Sequence, residues 1–118
     1  MQYQLPLMCV LNGPNPVPAE VVNEWKTTHD AALWAFENRD SKTAKTKKWV
    51  AEHMQMRVQH VTRLLDKRDL KLDPVQAHMW DYLCGWTAID QFRKAEIERI
   101  NQNAAEQINA ALKARLAA

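Results

Sequence analysis

KKWVAEHMQMRVQHVTRLLD, residues 47–66, reads as two short helices joined by a tight turn, and the rest of the chain is placed relative to it. In the first helix Val50 and Met54 stand four apart with Ala51 beside them, so one face is apolar and partly small. A small residue there lets a second helix approach. On a helical wheel of about 100° per residue, Val61, Leu64 and Leu65 group on one side of the second helix, with Met56 just before it. Gln59, Thr62 and Arg63 lie opposite, with Val58 and His60 on the flanks. The second helix is therefore expected to bury one face and to present Gln, Thr and Arg on the other.

Cationic sequence brackets this pair. Ahead of it, SKTAKTKK supplies Lys42, Lys45, Lys47 and Lys48, with Ser41 or Thr43 as possible helix caps. Behind it, Lys67, Arg68 and Lys71 fall in a loop ending at Leu72. The formal net charge is only +2, but residues 41–71 carry nine Lys or Arg against three acids, a net of +6, and the remainder seven against eleven, a net of −4. Taken alone, a lysine run reads as a solvated helix start; segregation on this scale makes a local positive field that concentrates a polyanion.

Outside this region the sequence points to an all-α chain. With 118 residues, 47% of them hydrophobic, it suits one compact domain plus appendages. It has two glycines and five prolines, and Pro6, Pro14, Pro16 and Pro18 all come early, so few breakers remain beyond. Residues 1–17 are expected to form an irregular Pro-rich arm, either packed on the domain or mobile. A helix can start at Pro18, with Val21, Val22 and Trp25 at helical spacing, and Thr28 to Asn38 is another candidate, with Ala32, Leu33, Trp34 and Phe36 as its apolar surface. Asp73 followed by Pro74 is a strong helix start, Gly85 is a natural stop, and Val75, Met79, Trp80, Leu83 and Cys84 would form the buried face between them. The last segment opens at Thr87 with Asp90 three residues later, a variant of the capping box, and runs about 30 residues or about 45 Å without Gly or Pro. Ile89, Phe92, Ile97 and Ile100 suggest a buried stripe, interrupted by Asn101, Gln102 and Asn103 and resumed more thinly at Ala104, Ile108, Ala111 and Leu112. Heptad spacing fits it poorly, because Ile97 and Ile100 at a and d put Gln107 at the next d. The expected division is an arm over 1–17, a domain over 18–92 and a helical extension over 93–118, long or broken, that serves dimerisation.

Several classes are disfavoured. MQYQLPLMCVL has no basic leader and no stretch approaches the ~20 apolar residues of a membrane span, so a cytoplasmic protein is expected. Cys9 and Cys84 stand alone and read as buried thiols rather than a disulfide. His29, His53, His60 and His78 have no metal-ligand spacing, and no nucleophile motif or Gly-rich phosphate loop is present, so neither metal, cofactor nor enzyme is expected. Of the five tryptophans, Trp49, Trp80 and Trp86 sit in or beside apolar stretches, which favours packing over stacking on single-stranded bases.

The spacing of Val50, Ala51, Met54, Met56, Val61 and Leu64 resembles the helix-turn-helix of the Cro and lambda-repressor-like (XRE-type) regulators, over roughly residues 28–92. That resemblance implies a compact helical domain that binds double-stranded DNA as a phage-type transcriptional regulator, usually a repressor, with the helix at 57–65 in the major groove. It also implies that Val58, Gln59 and Arg63 face bases and that Thr62 lies close to the DNA. The wheel agrees on Gln59, Thr62 and Arg63, whose side chains suit the donor and acceptor pattern of base edges. Lys42, Lys45, Lys47, Lys48, Arg57, His60, Lys67, Arg68 and Lys71 would then meet phosphates, and a homodimer would read a two-fold site. Two positions depart from the pattern: Gln55 stands where the turn usually has Gly, and Asp66 places an acid at the end of the reading helix. The competing expectation is a helical protein–protein interaction module, such as a phage accessory or antitoxin-like partner, on the same scaffold without DNA reading.

Overall fold

The computed structural model describes residues 5–66 and 72–117. The protein is all-α, as expected, with seven helices among the described residues: α1 (Leu7–Asn12), α2 (Ala19–Val22), α3 (Thr28–Glu37), α4 (Lys47–Met54), α5 (Val58–Asp66), α6 (Pro74–Cys84) and α7 (Ala88–Ala117). Local chemistry sets most of their ends. Thr27 and Asp30 form a reciprocal capping box at α3, and Asp73 and Gln76 form another at α6, where Pro74 takes the first helical position. Gly85, at φ 87°, closes α6 in the left-handed conformation that a side chain resists. Neither Ser41 nor Thr43 starts the helix of the central pair; Thr46 does, its hydroxyl oxygen accepting from the Trp49 amide at 3.1 Å.

α6 touches α1, α3, α4 and α7, and α3 touches α5, α6 and α7. Ala31, Ala32 and Ala35 of α3 are fully buried, and these small side chains allow the neighbouring helices to come close. Trp80, Phe92, Met54, Leu83, Ile89 and Val50 fill the centre, each such side chain contributing about 1.5–3 kcal/mol when withdrawn from water. The buried indole of Trp80 donates to the Ala32 carbonyl at 3.1 Å, so its one polar atom is satisfied. Trp25, Trp34 and Trp86 pack in a row at centroid separations of 5.7 and 5.1 Å, the first pair tilted and the second edge to face, and the Trp86 indole donates to the Asn38 carbonyl. Cys9 and Cys84 are both buried free thiols.

Four details differ from the sequence expectation. The arm is not wholly irregular, since residues 7–12 form α1, and of its two expected states it takes the packed one. The Asn15 amide donates to the Gly85 carbonyl and the Thr87 amide to the Asn15 carbonyl, while the Gln91 side chain both accepts from the Val17 amide and donates to the Val17 carbonyl. Cys9 and Val17 consequently join the core, and packing does not break at residue 17. Val75 is 55% exposed, because it lies roughly 140° around α6 from Trp80, the centre of the buried face. α7 is one unbroken helix of 30 residues, but Ile97 and Ile100 do not continue the buried stripe of Ile89 and Phe92. They are 57% and 65% exposed, since the other helices end beside Ala95 and α7 runs on alone, stretching the molecule to 64 × 28 × 27 Å.

The fourth difference is at the start of α7. The Thr87 hydroxyl donates to the Gln91 side chain, and the acceptor for the helix's free amides comes from α6: Asp81 Oδ1 takes the Ile89 N–H at 3.0 Å and Oδ2 the Asp90 N–H at 3.1 Å. A carboxylate one helix away thus does the work of the local cap. Burial pushes the Asp81 carboxyl up to about 7, against the opposing pull of those two N–H bonds.

Candidate nucleic-acid interface

The turn between α4 and α5 is built on Gln55, at φ 57° and ψ 44°, the one non-glycine residue with positive φ among the described residues. The Met56 amide donates to the Ala51 carbonyl at 3.0 Å and the Gln55 amide to the Glu52 carbonyl at 3.2 Å, the paired bonds of a Schellman closure. The position at which the sequence pattern wants glycine does need a left-handed backbone, and Gln55 adopts it at a cost of ~1 kcal/mol.

α4 contributes Val50, Ala51 and Met54 to the core, and α5 contributes Val61, Leu64 and Leu65. The Val58, Gln59, His60 and Arg63 side chains of α5 stand exposed, as does Arg57 just before it. Met56, Arg57, Gln59, His60 and Arg63 together line an open concavity of about 570 Å³. The far end of α5 is held from behind: buried His29 on α3 donates from Nε2 to the Leu65 carbonyl at 2.8 Å, satisfying an acceptor that a helix terminus leaves free. The polar row therefore stands on a helix anchored at both ends, by the Gln55 turn and by His29.

The expected site residues do not all share this placement. Thr62 is half-buried and its hydroxyl donates to the Val58 carbonyl one turn back, leaving only acceptor lone pairs toward solvent. In that rotamer it can meet a base amine but cannot donate to a phosphate. Val58 sits at the rim of the exposed face and Asp66 is exposed at the end of α5. Lys42, Lys47 and Lys48 are exposed on the approach to α4. Lys45 is not available: it is 9% exposed, and its ammonium pairs with Asp40 at 2.6 Å. It is withdrawn from the phosphate-contacting set, because its side chain is folded into the protein and its ammonium is already paired with the exposed Asp40 carboxylate. Lys67, Arg68 and Lys71 lie outside the described residues.

Reading the sequence also missed two residues that position the interface. Arg39 lies 4.0 Å over the Phe36 ring and donates to the Phe36 and Lys45 carbonyls, lacing the 40–46 connection onto α3 so that α4 enters at a defined place. An arginine just past a helix end is a weak signal for such a role, since it is equally the ordinary complement of the helix dipole. His29 had no local signal, because its partner is 36 residues away. The other histidines are dispersed: His53 Nδ1 meets the Trp49 carbonyl on α4, His60 lies on the α5 face and His78 packs beside Tyr82 on α6.

Comparison of the chain with protein-family models, with curated proteins and with solved structures returns no match.

Proposed function

We propose that the chain binds double-stranded DNA sequence-specifically as a transcriptional regulator, with α5 in the major groove. The observation that carries this reading is the two-sidedness of α5 behind a left-handed turn. Val61, Leu64 and Leu65 are buried beneath it, and Gln59 and Arg63 stand out from it in one concavity with Arg57 and His60, while Lys42, Lys47 and Lys48 are exposed before and at the start of α4. A helix of this width fits the major groove; Arg63 can bond guanine O6 and N7, Gln59 can bond adenine N6 and N7, and the surrounding cations suit the phosphates on either side. Val58 would meet a thymine methyl from the rim, and Thr62 a base amine. Repressor action and a phage or mobile-element origin follow from the family resemblance alone.

The test is binding to a random pool of duplexes, followed by titration of a selected site against salt. Lys42, Lys47, Lys48 and Arg57 neutralising phosphates give a slope of log K on log salt of about −3 to −4, at ~0.9 per phosphate. Absence of binding to diverse duplexes at low salt overturns the proposal. A second reading, a helical module that binds proteins without reading DNA, is favoured by the exposed apolar side chains of α7, among them Ile108 and Leu112. It is the surviving interpretation if no duplex binds.

A further inference from the structure

α7 leaves the domain near Ala95, and from Ile97 to Ala117 every residue is exposed. A helical segment without tertiary packing relies on intrinsic propensity, and Asn101, Asn103 and Asn109 are poor helix formers. Yet this stretch carries an apolar face, crossed at Asn101 and closed by Arg115. At about 100° per residue, Ile97, Ile100, Ala104, Ile108, Ala111 and Leu112 fall within a stripe about 120° wide. The repeat is eleven residues, Ile97 to Ile108 and Ile100 to Ala111, which at about 3.67 residues per turn stays aligned along a nearly straight helix and explains why heptads fail. Between Arg99 and Leu112 the one charged residue is Glu106, which lies on the opposite side. Depletion of charge from the centre of an apolar stripe is what a buried contact requires.

We infer that this face pairs antiparallel with the same face of a second copy of the chain, in the register that sets Ala104 against Ile108 of the other copy and Ile100 against Leu112. Small then meets large on both sides of the two-fold axis. The charges select this direction. Antiparallel pairing brings Arg115 between Glu96 and Glu98 of the second copy, twice, and leaves Arg93 and Lys94 outside the paired span. Parallel in-register pairing sets Glu96, Glu98 and Arg115 each against its own like charge. The span of about 20 residues is about 30 Å long, and a third of its surface on each copy gives about 900 Å² buried in total, near the ~1,000 Å² lower bound of specific interfaces. An interface of this size makes the dimer a weak, reversible one whose population depends on concentration.

Sedimentation equilibrium of the full chain, without DNA, tests this independently of the proposed function. A reversible monomer–dimer equilibrium is expected. Ile108→Glu and Arg115→Glu should each weaken it at least tenfold, with near-UV circular dichroism unchanged because both positions lie far from the core. Adding Glu96→Arg and Glu98→Arg to Arg115→Glu should restore most of the affinity. A monomer at every concentration overturns the inference, as does a dimer indifferent to Ile108→Glu. No recovery in the triple charge reversal overturns the antiparallel register.

Discussion

Substituting Asp81 by Asn should flatten the pH dependence of stability between about pH 4 and pH 8. Asp81 is 3% exposed and accepts two backbone amides at the start of α7, while burial raises its carboxyl from 3.8 to about 7. The folded state therefore holds a proton over an interval in which the unfolded chain has released it. The resulting stability is fully present below the unfolded value of 3.8 and is lost as pH rises through about 7. At ~1.36 kcal/mol per pH unit, that interval amounts to about 4 kcal/mol at most. The Asn variant does not titrate; its oxygen keeps one amide, but its NH₂ faces the other, leaving a buried donor unsatisfied at a cost of about 1–3 kcal/mol. Urea unfolding of both chains, followed by circular dichroism from pH 4 to pH 8, gives the difference curve, in which every other titrating group cancels. Asp30 is one such group: its acid is held below the ordinary range, first by the Lys26 amide, so it lowers stability as pH falls in both chains alike. The variant should be the less stable chain at pH 4–5 and should close the gap by about pH 8. Parallel curves across that range would refute the reasoning, because they would mean that the two amides keep Asp81 ionised throughout.

Gln55→Gly should stabilise the protein by up to ~1 kcal/mol, read as a higher urea midpoint at unchanged slope, since it relieves the left-handed backbone without removing a buried contact; a lower midpoint would contradict the account of the turn. His29→Ala should cost about 2 kcal/mol and speed hydrogen exchange in the last turn of α5 more than in α7, through loss of the bond to the Leu65 carbonyl; uniform acceleration would argue against a local anchor. On a selected duplex, Arg63→Ala and Gln59→Ala should each erode discrimination by ~1–3 kcal/mol, whereas Lys47→Ala or Lys48→Ala should weaken all sequences alike and lower the salt slope by ~1. Equal losses on every sequence for Arg63→Ala would remove its assignment as a base reader.

What the sequence determined by itself is what depends on neighbours three or four residues away. Asp73–Pro74 and Gly85 bound α6 because capping and left-handed closure are local hydrogen-bond problems. The two-sidedness of α5 was legible for the same reason, since a 3.6-residue period places Val61, Leu64 and Leu65 together whatever they pack against. The left-handed turn at Gln55 was expected only through the resemblance to a helix-turn-helix, because the residue itself carries no such signal.

Only the tertiary structure decided which helix faces meet and where packing stops. Lys45 and Lys48 look alike in the sequence, yet the path of the 40–46 connection turns one inward onto Asp40 and leaves the other in water. Nothing in the local sequence marks Asp81, which becomes the cap of a helix eight residues further on only when α6 and α7 pack together. Ile97 and Ile100 carry the same apolar signal as Ile89 and Phe92, but exposure is set by the length of the neighbours, and the other helices end before α7 does. Periodicity states which side chains share a face; the arrangement of the other elements states whether anything covers it.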